Sequence, residues 1–329
     1  SNPRGRAIMR LWLARMSRYG PMIRRKLAQH KLPSALIYVA MIESSFDPRR
    51  TSRVGAAGLW QFMVGTGRGY GLKRSYWIDE RRNPALSTAA ALRYLKNLRA
   101  RLGSWELALA AYNAGFGAVV VAVQKYNTND YWQLCRYEAG LPWSTSLYVP
   151  KVLAAAIVGK NKAFFGYSNV RPDPELTYEL VSVPRSLRIA QIARAAGAAK
   201  ELIQTLNPEL RRGRTSPRGA SWVRVPKGAS TRFYSQLARI GAAKHRPYVG
   251  RLGEHARSVA ARFGSSRRAL LRLNGVRSGA VLRPGLTIQV PARAPTRGGA
   301  ERRRKASGRG DARGVPAMLV ALPQGRPRG

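Results

Sequence analysis

The chain of 329 residues predicts a mainly α unit followed by two small α+β units. Three observations carry this. From about residue 33 to residue 170, apolar residues recur at helical spacing between polar helix starts and glycine stops. From Tyr178 onward the pattern shifts to short strands and short helices. Within that second half the chain repeats itself. Ile189-Ala190-Gln191-Ile192-Ala193, Gly197 and Leu206-Asn207 return 67 residues later as Ala256-Arg257-Ser258-Val259-Ala260, Gly264 and Leu273-Asn274. Both copies close in a strand and a proline, Val223 to Pro226 and Ile288 to Pro291. A strand, two short helices and a returning strand make a βααβ unit able to enclose a small core.

In chain order, Ile8 to Gln29 reads as a basic amphipathic helix, or as a pair broken at Gly20-Pro21, that packs on the helices after residue 33. Pro33 and Ser34 supply the start of the next helix. Ala35 to Ile42 then run apolar without a break, so this helix is buried, with Asp47-Pro48 as its stop. Gly65 to Tyr76 is too rich in glycine for a stable helix and reads as loop. Asp79, Glu80, Arg81 and Arg82 form a charge-paired corner. Ser87 caps a helix running through Arg101 with Gly103 as its stop, and Ser104 caps Trp105 to Ala114, which ends at Gly115. Ala118 to Tyr126 is a further helix, and one from about Val149 to Phe164 closes the unit. Residues 293–329 combine Gly, Arg, Pro and Ala and read as a disordered basic tail.

Composition narrows the function classes. An apolar share of 45% supports real cores, while no apolar run reaches the roughly 18 residues of a membrane span. With Cys135 alone there is no intrachain disulfide and no cysteine zinc site, and His30, His245 and His255 are scattered along the chain. No metal site and no cofactor are expected. The charge, 59 Lys+Arg against 15 Asp+Glu, is spread over the whole chain rather than gathered in a stripe, and no nucleic-acid recognition module is present. Attraction to an anionic polymer and a solvated arginine-rich surface both fit this charge, and no specific nucleic acid is expected as partner.

Acids are scarce in the first half: Glu43, Asp47, Asp79, Glu80, Glu106, Asp130 and Glu138. Glu43 is distinctive because it follows Val39, Ala40, Met41 and Ile42 in the last turn of the buried helix. Desolvation disfavours the charged form, moving a Glu from about 4.3 toward roughly 6 to 7, where it can serve as a general acid. Downstream, Ser52 and Gly55-Ala56-Ala57-Gly58-Leu59-Trp60-Gln61-Phe62-Met63 bring glycines, an amide, a hydroxyl and aromatic faces close to that acid. Such groups bind sugars.

The string Glu43-Ser44-Ser45-Phe46-Asp47-Pro48, then Ser52 and Gly55 to Met63, resembles the catalytic motif of lytic transglycosylases with the SLT, goose-lysozyme-like fold. Thr66 to Leu72, Asp79 to Arg82, Ala110 to Gly115 and Tyr148 to Lys151 fit the same family, closest to the membrane-bound lytic murein transglycosylase D group. The family usually has Asp where Asn83 stands, and Glu where Ser144 stands. The resemblance implies a lysozyme-like all-α catalytic domain over 33–170, with 1–32 packed on it as a helical segment. It also implies a bacterial cell-envelope location and peptidoglycan glycan strands as partner, with other anionic wall polymers drawn to the basic surface. On this reading Glu43 is the catalytic acid, and Ser52, Gln61, Met63, Tyr112, Asn113 and Tyr148 bind substrate. The reaction implied is non-hydrolytic cleavage to 1,6-anhydro ends; a hydrolytic goose-type lysozyme and a catalytically idle wall-binding protein are the rivals. The second repeat, 246–292, is similar to the glycan-binding LysM module, with Gly253, Glu254, His255 and Asn274 as its candidate contacts. The first, 178–227, is a more degenerate copy.

Overall fold

The computed structural model describes residues 2–183, 186–239, 245–276, 282 and 284–292; the expected basic tail lies outside the described residues. Helix α1 (Pro3–Gln29) starts at Asn2, whose Oδ1 accepts the amides of Arg4 and Gly5. Of the two readings left open by Gly20-Pro21, the single helix holds, with Pro21 inside it. The proline removes one hydrogen bond. Burial of Leu13, Met16, Tyr19, Ile23 and Leu27 carries the helix across that gap.

A 3-10 turn (Ser34–Leu36) leads into α2 (Ile37–Ser44), whose Ile37, Tyr38, Val39, Ala40 and Met41 are all buried. Each large apolar side chain removed from water there contributes about 1.5–3 kcal/mol. The helix stops earlier than Asp47-Pro48 predicts. Ser45 and Phe46 both turn left-handed, at φ 57° and 56°, so the chain reverses directly after Ser44.

The glycine-rich stretch expected as loop begins with a short helix, α3 (Val64–Gly69). Its Gly67 lies against the Arg81 stem, where an added Cβ would come within 3.3 Å of Arg81 Cγ. Helix α4 (Pro84–Leu102) is capped by Asn83 rather than Ser87: Asn83 Oδ1 accepts the amides of Ala85 and Leu86, both at 3.1 Å. Ser87 sits one turn inside and donates to the Asn83 carbonyl at 2.7 Å. Asn83 thus supplies the cap, and Pro84 takes the first helical position. Next come α5 (Trp105–Ala114), capped by Ser104 as expected, α6 (Phe116–Tyr126), α7 (Tyr131–Leu134), α8 (Trp143–Ser146) and α9 (Tyr148–Lys160). The last ends four residues before Phe164 because Asn161 Nδ2 folds back on the Ile157 carbonyl. One core runs from Leu13 of α1 to Tyr167, so the N-terminal helix and the helices after residue 33 share it.

The repeat emerges as two βααβ units. The first is β1 (Tyr178–Val183), α10 (Ile189–Ala196), α11 (Lys200–Leu206) and β2 (Ser221–Pro226), with antiparallel strands in register Tyr178↔Pro226 to Val183↔Ser221. Helix α12 (Ser230–Arg239), which the repeat does not predict, adds Phe233 to its core. The second is β3 (His245–Val249), α13 (Ala256–Arg262), α14 (Arg267–Asn274) and β4 (Thr287–Pro291), paired His245↔Pro291 to Val249↔Thr287.

Both units are fastened to the helical domain through the segment 76–83. The Asp79 amide donates to the Glu209 carbonyl at 3.0 Å, and the Arg211 amide to the Trp77 carbonyl at 2.9 Å. Asn83 Nδ2 donates to Glu209 Oε1 at 3.1 Å, and Arg224 closes on the same oxygen at 2.7 Å. From the second unit, the Thr287 carbonyl accepts Trp77 Nε1 at 2.9 Å.

Candidate active site

Glu43 stands on the last turn of α2, half-buried. Its Oε1 accepts the hydroxyl of Tyr148, from the start of α9, at 2.6 Å. Burial raises its pKa from 4.5 to about 7; the Tyr148 hydrogen bond and, at longer range, the Arg50 charge oppose the rise. The Tyr148 and Tyr112 hydroxyls, desolvated and close to Glu43, are held well above the ordinary tyrosine value, so both remain donors.

The turn after Ser44 keeps this carboxyl in place. Phe46 at positive φ is uncommon for a bulky residue, and such strain persists where the surroundings over-determine it. Here the surroundings are its own complete burial and Ser44, whose hydroxyl touches the carbonyls of Ala40 at 3.1 Å and Leu59 at 2.8 Å. Ser44 therefore ties the end of α2 to the loop carrying Ser52, Gln61 and Met63.

Arg81 fixes that loop from behind. Asp79 grips it through two bonds, Nε to Oδ1 at 2.9 Å and Nη2 to Oδ2 at 2.8 Å, and Nη1 donates to the carbonyls of Gly55 and Phe62, both at 2.8 Å. Gly58 approaches the Arg81 carbonyl so closely, at φ 89°, that a Cβ would lie 1.8 Å from it. The charge-paired corner read from sequence is there. Its reach to the groove wall is what sequence reasoning missed, because pairing at positions 79 and 81 does not show where the free guanidinium edge points.

The predicted site residues fall on two groups of elements, the loop after α2 and the helices α5 to α9. On one, Ser52 Oγ accepts the Ala56 amide at 3.0 Å, and Gln61 Nε2 donates to the carbonyls of Gly58 at 2.8 Å and Arg50 at 3.3 Å. Met63 is 45% exposed, which suits a groove floor. On the other, Tyr112 donates to the Trp60 carbonyl at 2.7 Å and joins an aromatic cluster with Phe62 and Tyr94. Asn113 Oδ1 accepts from Thr145 Oγ1 at 3.0 Å, which holds the exposed Asn113 beside the α8 that leads into Tyr148. Thr145 and Arg50 are functional neighbours that the motifs alone do not pick out.

In the second βααβ unit, Gly253 takes φ 73° and Glu254 accepts from Tyr248, the Arg251 amide and Arg262, while His255 precedes α13. Asn274 is not a surface contact. It is 1% exposed, with Nδ2 donating to the carbonyls of Leu270 and Gln289 and Oδ1 accepting the Gln289 amide. Asn207 makes the equivalent three bonds, to Ile203 and Arg224, in the first unit. The repeated asparagine is an internal staple, which is why it recurs.

The described residues contain no His/Cys/Asp/Glu group able to hold a metal ion. No helix among them is long and apolar enough to cross a membrane.

Comparison with known proteins bears on the same regions. Residues 21–135 match the transglycosylase SLT domain, and residues 177–242 match the LysM-like domain of lytic transglycosylase MltD. The second match falls on the repeat that reads as the more degenerate in sequence. Membrane-bound lytic murein transglycosylase D of Escherichia coli K12 is 32% identical over 285 residues, 81% of this chain and 62% of that protein. The chain thus spans less than two thirds of the curated relatives it matches most fully. A putative tributyltin chloride resistance protein of an Alteromonas strain is 34% identical over 111 residues, 33% of this chain and 54% of its own. Among solved structures, the 70 kDa soluble lytic transglycosylase of Escherichia coli is 26% identical at a TM-score of 0.38, covering 45% of this chain and 24% of that one. The chain is built from an SLT transglycosylase domain joined to an MltD-type LysM-like domain.

Proposed function

We propose that this chain is a peptidoglycan lytic transglycosylase. It cleaves the β-1,4 bond between N-acetylmuramic acid and N-acetylglucosamine without water and leaves 1,6-anhydro ends. The observation that carries the reading is a single carboxyl, Glu43, with a pKa raised to about 7 and held by Tyr148. Two-carboxylate glycosidases need a second acid opposite the first, roughly 5 to 9.5 Å away. The influences on Glu43 are burial, Tyr148 and Arg50, with no carboxylate among them. Four of the six other acids listed for this half have separate work: Asp47 accepts the Arg49 amide, Asp79 holds Arg81, Glu80 accepts the Lys73 amide and Asp130 caps α7.

One proton donor suffices for an intramolecular reaction. Glu43 gives its proton to the bridging oxygen as the bond to the muramic C1 breaks, and the sugar's own N-acetyl group supports the electron-poor carbon. Glu43, now a carboxylate, takes the proton of the C6 hydroxyl while that oxygen closes on C1, so the acid is regenerated and no water enters. The same pKa near 7 serves both steps, since the group must lose and regain one proton at neutral pH.

Ser52, Gln61 and Met63 form one side of the glycan groove, and Tyr112, Asn113 and Tyr148 the other. The βααβ units, Gly253 to His255 among their outward residues, hold the wall, and a bacterial envelope location follows from the substrate. The test is product analysis on purified sacculi. Anhydro-muramic ends are expected. Reducing ends would replace this reading with hydrolysis, and binding without products would replace it with an idle wall-binding protein.

A further inference from the structure

We propose that the cleft between the helical domain and the first βααβ unit is a second binding site of this chain, taking the carboxylates of the peptide stem that projects from the glycan strand. The inference rests on the lytic reading for the identity of its ligand. The cleft, about 420 Å³, is lined on one side by Arg49 and Arg82 and on the other by Gln204, Leu210 and Arg211.

Its chemistry is one-sided. Three guanidiniums face the space, and the ion pairs seen among the described residues occupy other arginines: Arg18, Arg74, Arg81, Arg224 and Arg262. Arg82 donates to the Arg49 carbonyl and to Thr51 Oγ1, and Arg211 Nη1 donates to the Ser75 carbonyl. These neutral partners orient the side chains without supplying a contacting counter-charge. Desolvation and the neighbouring Arg74, Arg212 and Arg82 pull Arg211 below the usual guanidinium value, with Asp79 offsetting part of this. Asp79 itself is engaged by Arg81. A carboxylate entering the cleft would relieve that crowding and find planar donors suited to bidentate capture.

The position suits a substituent of the same strand. Arg82 holds the stretch 49–51 through the Arg49 carbonyl and the Thr51 hydroxyl, and Arg50 within that stretch is the cation whose field reaches Glu43. A glycan lying over Glu43 presents a peptide on each muramic residue, and the stem peptide carries several free carboxylates. Gln204 and the half-buried Leu210 add an amide and an apolar edge for its backbone and side chains.

The experiment is fluorescence anisotropy on the full chain, with a labelled stem tetrapeptide released from sacculi by an amidase. Binding should weaken about tenfold for Arg49→Gln/Arg211→Gln, the scale of one lost charge-assisted hydrogen bond. It should also fall with salt and with amidation of the peptide's carboxylates. The single variant Arg49→Gln alters only an exposed side chain and should show part of the loss with an unchanged melting temperature. Equal binding by parent and double variant, or by free and amidated peptide, overturns the proposal. So does tighter binding of a single-stranded oligonucleotide of matched charge. If sacculi give no anhydro ends while the tetrapeptide still depends on the two arginines, the lytic reading fails and the cleft stands.

Discussion

Glu43 and Glu209 are both drawn at least partly out of bulk water, and their surroundings make them opposites. Glu43 is packed in the apolar α2 with one hydroxyl, Tyr148, against it and a cation only at longer range. Glu209 is 6% exposed between two domains with Arg224 at 2.7 Å and Asn83 at 3.1 Å on the same oxygen. Burial without a contacting cation raises a carboxyl's pKa toward neutrality and makes it a proton donor. Burial with a guanidinium and an amide makes a joint: the charge is matched, and removing one partner strands the other. On the proposed function the first site reacts and the second assembles, and each can be broken separately.

The largest effect belongs to the reacting acid. Glu43→Gln should lower release of anhydro ends by about 10²- to 10⁴-fold, the range for a positioned general acid, with circular dichroism unchanged. It should also stabilise the fold at alkaline pH. A carboxyl raised in the folded state from 4.5 to about 7 favours folding fully below its unfolded value, and that contribution is lost as pH rises through about 7. The uncharged Gln escapes this loss. Its unfolding free energy should match the parent at pH 4 and exceed it at pH 8, by up to about 3 kcal/mol at about 1.4 kcal/mol per pKa unit. A variant that loses activity and stability together at pH 8 would make Glu43 a structural residue.

Next in size is the joint. Glu209→Leu alone leaves Arg224 buried without its counter-charge and should cost about 3–5 kcal/mol of stability. Adding Arg224→Met should recover most of it, because an apolar pair of similar volume avoids desolvating either charge. Thermal unfolding of the parent and the two variants checks this. Equal losses in the single and double variants would show that the stranded Arg224 charge is not what the single variant costs.

Asn83→Asp is a smaller and more diagnostic change. Asp caps a helix as well as Asn, so the start of α4 is preserved. The interface changes, because a carboxylate replaces the amide that donates to Glu209 and sets like charges side by side. A loss of about 1–3 kcal/mol at pH 7 is expected, the cost of an unsatisfied buried group. It should shrink as pH falls through the carboxylate range and one of the two takes a proton, and it should be nearly absent in a Glu209→Gln background. Where the resembled family usually has Asp, Asn83 here donates to Glu209 and sets no second negative charge beside it.

The reacting site is more legible in sequence than the joint. An apolar run ending in Glu43 states its own electrostatics, since neighbours on one helix turn are neighbours in space. The repeat likewise announces two βααβ units, because each must close a core of its own. The Asn83 and Glu209 contact joins residues far apart in the chain, with no periodicity to mark it, and α12 lies outside the repeat that predicts everything around it. Asn274 misleads for a related reason. A recurring polar residue in a binding module suggests a ligand contact, whereas here the recurrence reflects a turn of helix that must be stapled to the returning strand in both copies. Glycine misleads at Gly67, where close packing against Arg81 outweighs the low helix propensity of the stretch.

The finest separation of the two glutamates is a shift of a pH profile. Tyr148 donates to Glu43 Oε1 at 2.6 Å, and that bond favours the carboxylate, pulling the pKa down against burial. Tyr148→Phe removes the donor and keeps the ring, so the pKa of Glu43 should rise further. The limb of kcat/KM that falls with rising pH, as Glu43 loses its proton, should therefore move toward higher pH by about one unit, the worth of one hydrogen bond to a charged group. Turnover near neutrality should drop at the same time, because the carboxyl loses the contact that orients it and the carboxylate formed after the first step is less stabilised. Arg224→Met, at the joint, should leave the midpoint of that limb in place whatever it does to stability. A Tyr148→Phe profile that does not move, or moves toward acid, would mean that the hydroxyl and the carboxyl are not in contact during turnover, and the tyrosine would then be assigned to the sugar alone.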